Sequence, residues 1–256
     1  MDCEVIKVST ALKIITKIYK KMTDEEILER TSKIEIYCEI LLGFLRYTRV
    51  NNYRDEEHYE EILNRNLKFK YKDDHLRFRG CIDLIEDTQV AINQVYEKGL
   101  SNEANDCGER YLKLYGVLNA IYMQMFSLFE LIELFKTPPK AKTTREFKQL
   151  RIIELRNKVA AHTPNYMNNG NKERNTDFYR LTRTSIGQWG NRIAIVSSYD
   201  ELEEFDLIPL MNEFSQKVEE NLDSICVKGL KSLFPNNNEF KEWMVFRLNF
   251  ARNKKE

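Results

Sequence analysis

One stretch of the chain is apolar on nearly every side. Residues 103–136, with ERYLKLYGVLNAIYMQMFSLFELIELF at their centre, leave no polar stripe of the kind a surface helix carries. Such a helix has to be enclosed by neighbours, so the pattern predicts a central post around which other helices pack. Met123 and Met125 then read as core filler, and Gly116 as a point where a neighbouring helix comes close. Asn119 and Gln124 interrupt the run as polar groups, either paired inside the core or turned to a cleft.

Around this post the apolar positions mostly recur at three- and four-residue steps, the helical period. Leu12, Ile15, Ile18 and Tyr19 predict a first helix over 9–21. Thr23 and Glu26 form a capping box that opens a second helix to about residue 49, burying Ile27, Ile34, Tyr37, Leu41 and Leu45. A short polar helix is expected over 54–66, with His58 as a solvated residue between acidic neighbours. Residues 83–98 read as a long helix stopped by Gly99, and Ser101-Asn102 as the cap of the central one. Leu207, Leu210, Met211, Phe214, Val218, Leu222 and Ile225 mark a further long helix introduced by Tyr199-Asp200, with Pro209 in its first turn. A last helix over 239–253 carries Phe240, Trp243, Phe246, Leu248 and Phe250 and runs into a basic tail.

Two stretches break this rhythm. Residues 178–186 and 192–198 alternate around Gln188-Trp189-Gly190-Asn191 and predict a β-hairpin. Residues 67–79, LKFKYKDDHLRFR, also alternate, with basic residues between Phe69, Tyr71, Leu76 and Phe78. Two readings fit a hairpin turning at Asp73-Asp74: a half-buried ribbon with its aromatic face inward, or a single-strand binder with Lys68, Lys70 and Lys72 on phosphates. His75 falls at that turn with no evident partner.

The segment 144–166 carries the candidate chemistry. At about 100° per residue, Ile152, Ile153, Leu155, Val159 and Ala160 fall on one broad arc, and Arg156 lies within it. A guanidinium aimed at a core costs several kcal/mol unless its donors find partners. His162 follows on the edge of the arc, just before Thr163-Pro164, which ends the helix. The plainer reading is an internal ion pair from Arg156 to Glu130 or Glu133. The polar stretch 165–176 beyond it reads as a loop beside His162.

Composition narrows the classes. The chain has 256 residues, 40 basic and 40 acidic side chains and a formal net charge of +0, so no global field draws it to nucleic acid or membrane and a polyanion site has to be local. The N-terminus has no signal-peptide pattern, and no membrane span is expected. Cys3, Cys38, Cys81, Cys107 and Cys226 are odd in number and scattered, which suits free thiols in a reducing, cytoplasmic setting. With three histidines and no CxxC pair, neither a zinc site nor another metal or cofactor is expected. The chain also lacks a phosphate-binding loop, an H-E-x-x-H helix and a G-x-S-x-G elbow. An arginine with a histidine suffices for metal-free RNA cleavage through the 2′-hydroxyl: the imidazole moves the proton and the guanidinium neutralises the phosphate.

The run Arg156-Asn157-Lys158-Val159-Ala160-Ala161-His162 resembles the signature of the HEPN families, an arginine, a polar residue, then a histidine after four to six residues; here the gap is five. The resemblance covers the motif and the helical plan over about 80–230. The hydrophobic pattern predicts a mainly α fold, an antiparallel bundle made from the helices beginning near 83, 103, 144 and 206, with extra N-terminal helices and one inserted β-hairpin; this agrees with the HEPN-like helical bundle that the resemblance implies, while 1–80 has no counterpart in it. The whole is expected as one helical domain, with 1–80 as an N-terminal extension and 231–256 as C-terminal helix and tail. The resemblance also implies a metal-independent endoribonuclease, a toxin or phage-defence effector, acting on RNA as a homodimer under an antitoxin or other regulatory partner. In that scheme His162 is the acid/base, Arg156 the phosphate clamp and Asn157 a positioning group, while Lys158 either adds a phosphate contact or faces solvent. Tyr166 stands four residues after the histidine, where some HEPN toxins have a tyrosine at two, and carries no role. The alternative is a non-catalytic HEPN-like module that binds RNA or protein.

Overall fold

Ser32 and Glu35 cap each other: the Glu35 amide donates to the Ser32 hydroxyl at 3.3 Å while the Glu35 carboxylate accepts the Ser32 amide at 2.7 Å. This reciprocal box opens α1, Lys33–Asn51. The structure, a computed structural model, describes residues 32–51, 56–100, 106–160, 178–182, 185–186, 190–234, 236 and 238–254. The helix expected over 9–21, the capping box at Thr23 and Glu26, the Ser101-Asn102 cap, the side chain of His58 and the loop 165–176 lie outside the described residues.

Helix α2, Glu56–Leu67, follows, and α3, Asp74–Lys98, begins directly after a turn. The expected hairpin over 67–79 is therefore corrected. The Asp74 carboxylate accepts the amides of Lys70 and Tyr71 at 3.0 and 2.9 Å, which folds 70–74 into a turn. From there His75, Phe78, Ile82, Ile85, Gln89 and Ile92 are buried at three- and four-residue steps, so the helical period continues further upstream than the alternation suggests. Phe69 turns inward against Phe78 and Phe135, while Tyr71 and Leu76 stay outside. Gly99, at φ 62°, ends α3 as expected.

Helix α4, Cys107–Phe135, is capped by Asp106, whose carboxylate accepts the Gly108 amide at 2.8 Å. By length and composition alone it is long and apolar enough to cross a membrane, a test that a buried core helix passes equally. It is the central post of this fold, with α3, α6 and α7 packed on it, and that packing accounts for most of its apolar run, but it is not enclosed all round as expected: Leu112, Tyr115, Met123 and Phe126 lie exposed along one face. Gly116 admits no neighbour, since a Cβ there would meet nothing within 4 Å. The close approach lies elsewhere: a Cβ on Gly229 would sit 2.3 Å from the ring of Phe44.

Over the described residues, the single helix expected from 144 to the stop at Thr163-Pro164 is two: α5, Lys140–Lys148, and α6, Arg151–Val159. Leu150 is extended between them, at φ −65° and ψ 132°. Phe147, Leu150, Ile152, Ile153 and Leu155 are all buried, and on one continuous helix they would point all the way round. The break lets Phe147 pack edge-on against Phe129 and Phe214 while α6 presents its own apolar face.

The inserted element is a three-stranded antiparallel sheet rather than one hairpin. Strands β1, Tyr179–Leu181, β2, Arg192–Ser197, and β3, Leu202–Asp206, lie in that order, with Leu181 opposite Ile195 and Ile193 opposite Phe205. The Ser197 hydroxyl accepts the amides of Tyr199 and Glu201, and Asp200 takes φ 58°, so Tyr199-Asp200 turns the chain back into a third strand. Helix α7, Leu207–Leu233, starts at the end of β3, and α8, Glu239–Asn253, completes the fold. Among the described residues the chain is thus mainly α, with eight helices and this small sheet towards its C-terminal part. One hydrophobic cluster runs from Ile34 to Ala251. In it α1 packs against α3, α7 and α8.

Candidate functional site

Arg156 is half-buried on α6 and leans across to α4, where its Cζ lies 3.5 Å from the centroid of the Tyr122 ring. That is close contact for a cation on a π face, whose negative quadrupole attracts it. Its Nη1 donates to the Asn157 side-chain oxygen at 3.3 Å, and its buried Nε has no hydrogen-bond partner. Among the described residues no carboxylate pairs with it. The expected ion pair is corrected here: Glu130 is bound by Arg77, and Glu133 by Lys140. Asn157 is brought to Arg156 as a neighbour that helps aim the guanidinium. His162 and Tyr166 lie outside the described residues.

Lys158 does not face solvent. It is buried, with its ammonium 2.6 Å from both Glu154 and Glu203 and 4.8 Å above the Tyr179 ring. Burial works against the charge, but the hydrogen bonds of the two carboxylates outweigh it and hold the lysine above its ordinary value. An ammonium already saturated by two carboxylates has little left for a phosphate, so its work is to tie α6 to β1 and β3. Lys68, Lys70 and Lys72 are exposed on the 68–73 turn, and the Lys70 ammonium rides 4.7 Å above the Tyr71 ring. His75 is buried with Nδ1 2.9 Å from the Lys72 carbonyl and Nε2 3.1 Å from the Glu60 carboxylate.

Gln124 and Asn119 part company. Gln124 is fully buried and donates to the Gln89 side-chain oxygen at 3.0 Å, while Asn119 faces outward and donates to the Met123 sulfur. Met123 is not core filler, as expected, but stands half out of the surface on the wall of a groove. That groove, of about 560 Å³, runs between α3 and α4 past Gly80, Cys81, Leu84, Tyr122, Met123 and Phe126 and is bounded by the Arg77–Glu130 pair. Burial pushes the Cys81 thiol up to about 11, and Cys38, Cys81, Cys107 and Cys226 are free thiols. Cys3 lies outside the described residues. Among the described residues no group of histidine, cysteine and carboxylate side chains is placed to hold a metal ion.

Sequence reasoning missed Tyr122 altogether. It sits on another helix, inside a run whose uniform apolarity hides which residues look outward. The signal that could have found it is the helical phase: Leu112, Tyr115, Asn119, Met123 and Phe126 step by three and four along one exposed face, with Tyr122 at its edge. Comparison of the chain with protein-family models, with curated proteins and with solved structures gives no match.

Proposed function

We propose that the protein is a metal-independent endoribonuclease of the HEPN type, with Arg156 as phosphate clamp, His162 as acid/base and Asn157 as positioning group. The observation that carries this reading is the Arg156 guanidinium, held against Tyr122 with no carboxylate partner among the described residues. A structural arginine in a protein interior is normally neutralised by an acid. One kept on an aromatic face retains donors for an anion that arrives from outside, and a phosphodiester fits that geometry.

In this scheme His162 removes the 2′-hydroxyl proton, the alkoxide attacks the adjacent phosphorus, and the 5′-oxygen leaves with a proton returned to it. Arg156 neutralises the charge that builds on the non-bridging oxygens. The products are a 2′,3′-cyclic phosphate and a 5′-hydroxyl. We place the protein in the cytoplasm as a toxin or phage-defence effector restrained by an antitoxin or other regulatory partner, and acting as a homodimer. The exposed Leu112 and Tyr115 on α4 supply apolar surface for a partner copy. That same surface also supports the second reading, a non-catalytic module that binds RNA or protein.

The deciding experiment incubates purified protein with end-labelled single-stranded RNA in EDTA. Cyclic phosphate ends are expected, and His162→Ala should abolish them with circular dichroism and melting temperature unchanged. Cleavage that survives His162→Ala, or that requires a divalent metal, overturns the assignment of the site, and RNA binding with no cleavage favours the binding module.

A further inference from the structure

The groove between α3 and α4 and the Arg156 contact share one side chain. Tyr122 carries the guanidinium 3.5 Å from its ring centroid, and it also lines the groove, with Phe126 packed against it at 4.7 Å and 65°. Phe126 is 48% exposed and Met123 37%, a costly presentation for large apolar groups unless something covers them. At about 560 Å³ the groove lies within the roughly 300–1,000 Å³ of ligand sites. From Tyr122 to Glu130 it follows α4 for about 12 Å at 1.5 Å per residue.

The far end leads to the exposed lysines. Asp74 accepts both the Lys70 amide and the Arg77 guanidinium, and Arg77 bridges on to Glu130, which fixes the 68–73 turn beside that end. At one end the groove is lined by Arg77 in its pair with Glu130, behind which lies the turn that carries Lys70 and Lys72, and at the other by Tyr122, whose ring carries the Arg156 guanidinium just outside the groove. A single nucleic-acid strand offers the complementary pattern, phosphates at intervals with flat apolar bases between them. A duplex does not, because its bases are stacked away inside the helix.

We infer that this groove is a base-binding subsite for single-stranded RNA, in which Phe126 stacks the base next to the phosphate held by Arg156 and the strand runs on towards Lys70 and Lys72. The inference rests on the reading of Arg156 as a phosphate ligand. The groove walls are largely apolar, so the subsite accepts any base and discriminates by stacking strength rather than by hydrogen bonds.

The test uses the full chain and a fluorescein-labelled, fully 2′-O-methylated octanucleotide, which lacks the attacking hydroxyl, with one 5-iodouridine for photocrosslinking. The adduct should map to the peptide containing Tyr122 and Phe126. Phe126→Ala should weaken binding by roughly 5- to 150-fold, the effect of losing one stacked base, and Phe126→Trp should restore it, with melting temperatures matched among the three. An adduct elsewhere, or Phe126→Ala binding within about twofold of wild type, overturns the subsite. Should Phe126→Ala instead convert a sedimenting dimer to monomer with affinity per chain unchanged, the face is an interface between copies and the inference is wrong. Cleavage of the all-ribose octamer is read in parallel. Groove crosslinking without cleavage sinks the nuclease and leaves the subsite. Cleavage with kcat/KM indifferent to Phe126→Ala sinks the subsite and leaves the nuclease, and neither binding nor cleavage sinks both.

Discussion

Arg156 and Tyr122 form the pair on which the functional reading turns: a guanidinium carbon 3.5 Å from a ring centroid, contributed by two helices that meet in the core. Their contact is worth about 1–2 kcal/mol at a partly desolvated site, which is small beside the cost of an uncompensated carboxylate. Because no acid among the described residues depends on Arg156, Arg156→Met should leave the urea midpoint close to wild type. The same substitution should abolish RNA cleavage. Tyr122→Phe keeps the ring and should keep most of the rate, whereas Tyr122→Leu should lower it about 10-fold by letting the guanidinium drift. A large drop in stability from Arg156→Met would point to a structural tie instead.

Lys158 should behave in the opposite way. Its ammonium lies 2.6 Å from both Glu154 and Glu203, so Lys158→Ala leaves two carboxylates facing each other and should cost about 1–3 kcal/mol. RNA affinity should hardly move. The pH dependence has a defined sign: the folded value lies above the ordinary lysine value, so the stabilisation is complete below about pH 10.4. It is lost as pH rises past that point through the folded value. Urea midpoints of wild type and Lys158→Ala measured from pH 8 to 11 should therefore converge at the alkaline end.

How much of this was legible in the chain depends on whether the deciding partner is local. The apolarity of 103–136 revealed the central helix, though not its exposed face at Leu112, Tyr115, Met123 and Phe126, and alternation revealed β1 and β2, because both signals repeat within a few residues. Arg156 was legible as a cation on an apolar arc, yet its partner Tyr122 comes from another helix and leaves no trace in the 144–166 pattern. Lys158 was misplaced for the same reason: Glu203 reaches it from β3, a strand hidden in an acidic run that resembled a helix lead-in. At 67–79 two periods compete, and the contest is settled by Asp74, whose carboxylate gathers the turn amides before the helix starts.

Asp74 gives an acid-side counterpart. Burial would raise its carboxyl, but the amides of Tyr71 and Lys70 and the Arg77 guanidinium outweigh that and hold it below the ordinary range. Its contribution is therefore present above about pH 3.9 and lost as pH falls from there through the folded value. Asp74→Asn removes the charge and turns an NH2 towards donors, at a cost of about 1–2 kcal/mol at pH 7. Chemical denaturation at pH 7 and pH 3 should show that difference narrowing as the wild-type carboxyl takes up its proton. An unchanged gap at pH 3 would mean that the turn is held by something other than this carboxylate.

Gln124 and Gln89 test whether the core between α3 and α4 needs its polar seam. Gln124 is fully buried, and its Nε2 donates at 3.0 Å to Gln89, which in turn donates at 2.8 Å to Asn93. Gln124→Leu strands the Gln89 oxygen away from water, and an orphaned buried acceptor costs about 1–3 kcal/mol. Gln89→Leu leaves Gln124 its weaker contacts, at 3.3 Å to the Ile85 carbonyl and 3.4 Å to the Thr88 hydroxyl, so it should cost less. The double variant removes donor and acceptor together and replaces them with leucines of similar size, so it should be more stable than Gln124→Leu alone. A double-mutant cycle by urea denaturation should return a coupling of about 0.5–3 kcal/mol. Strict additivity would mean that the two amides do not meet in solution, and that α3 and α4 are held by their apolar contacts alone.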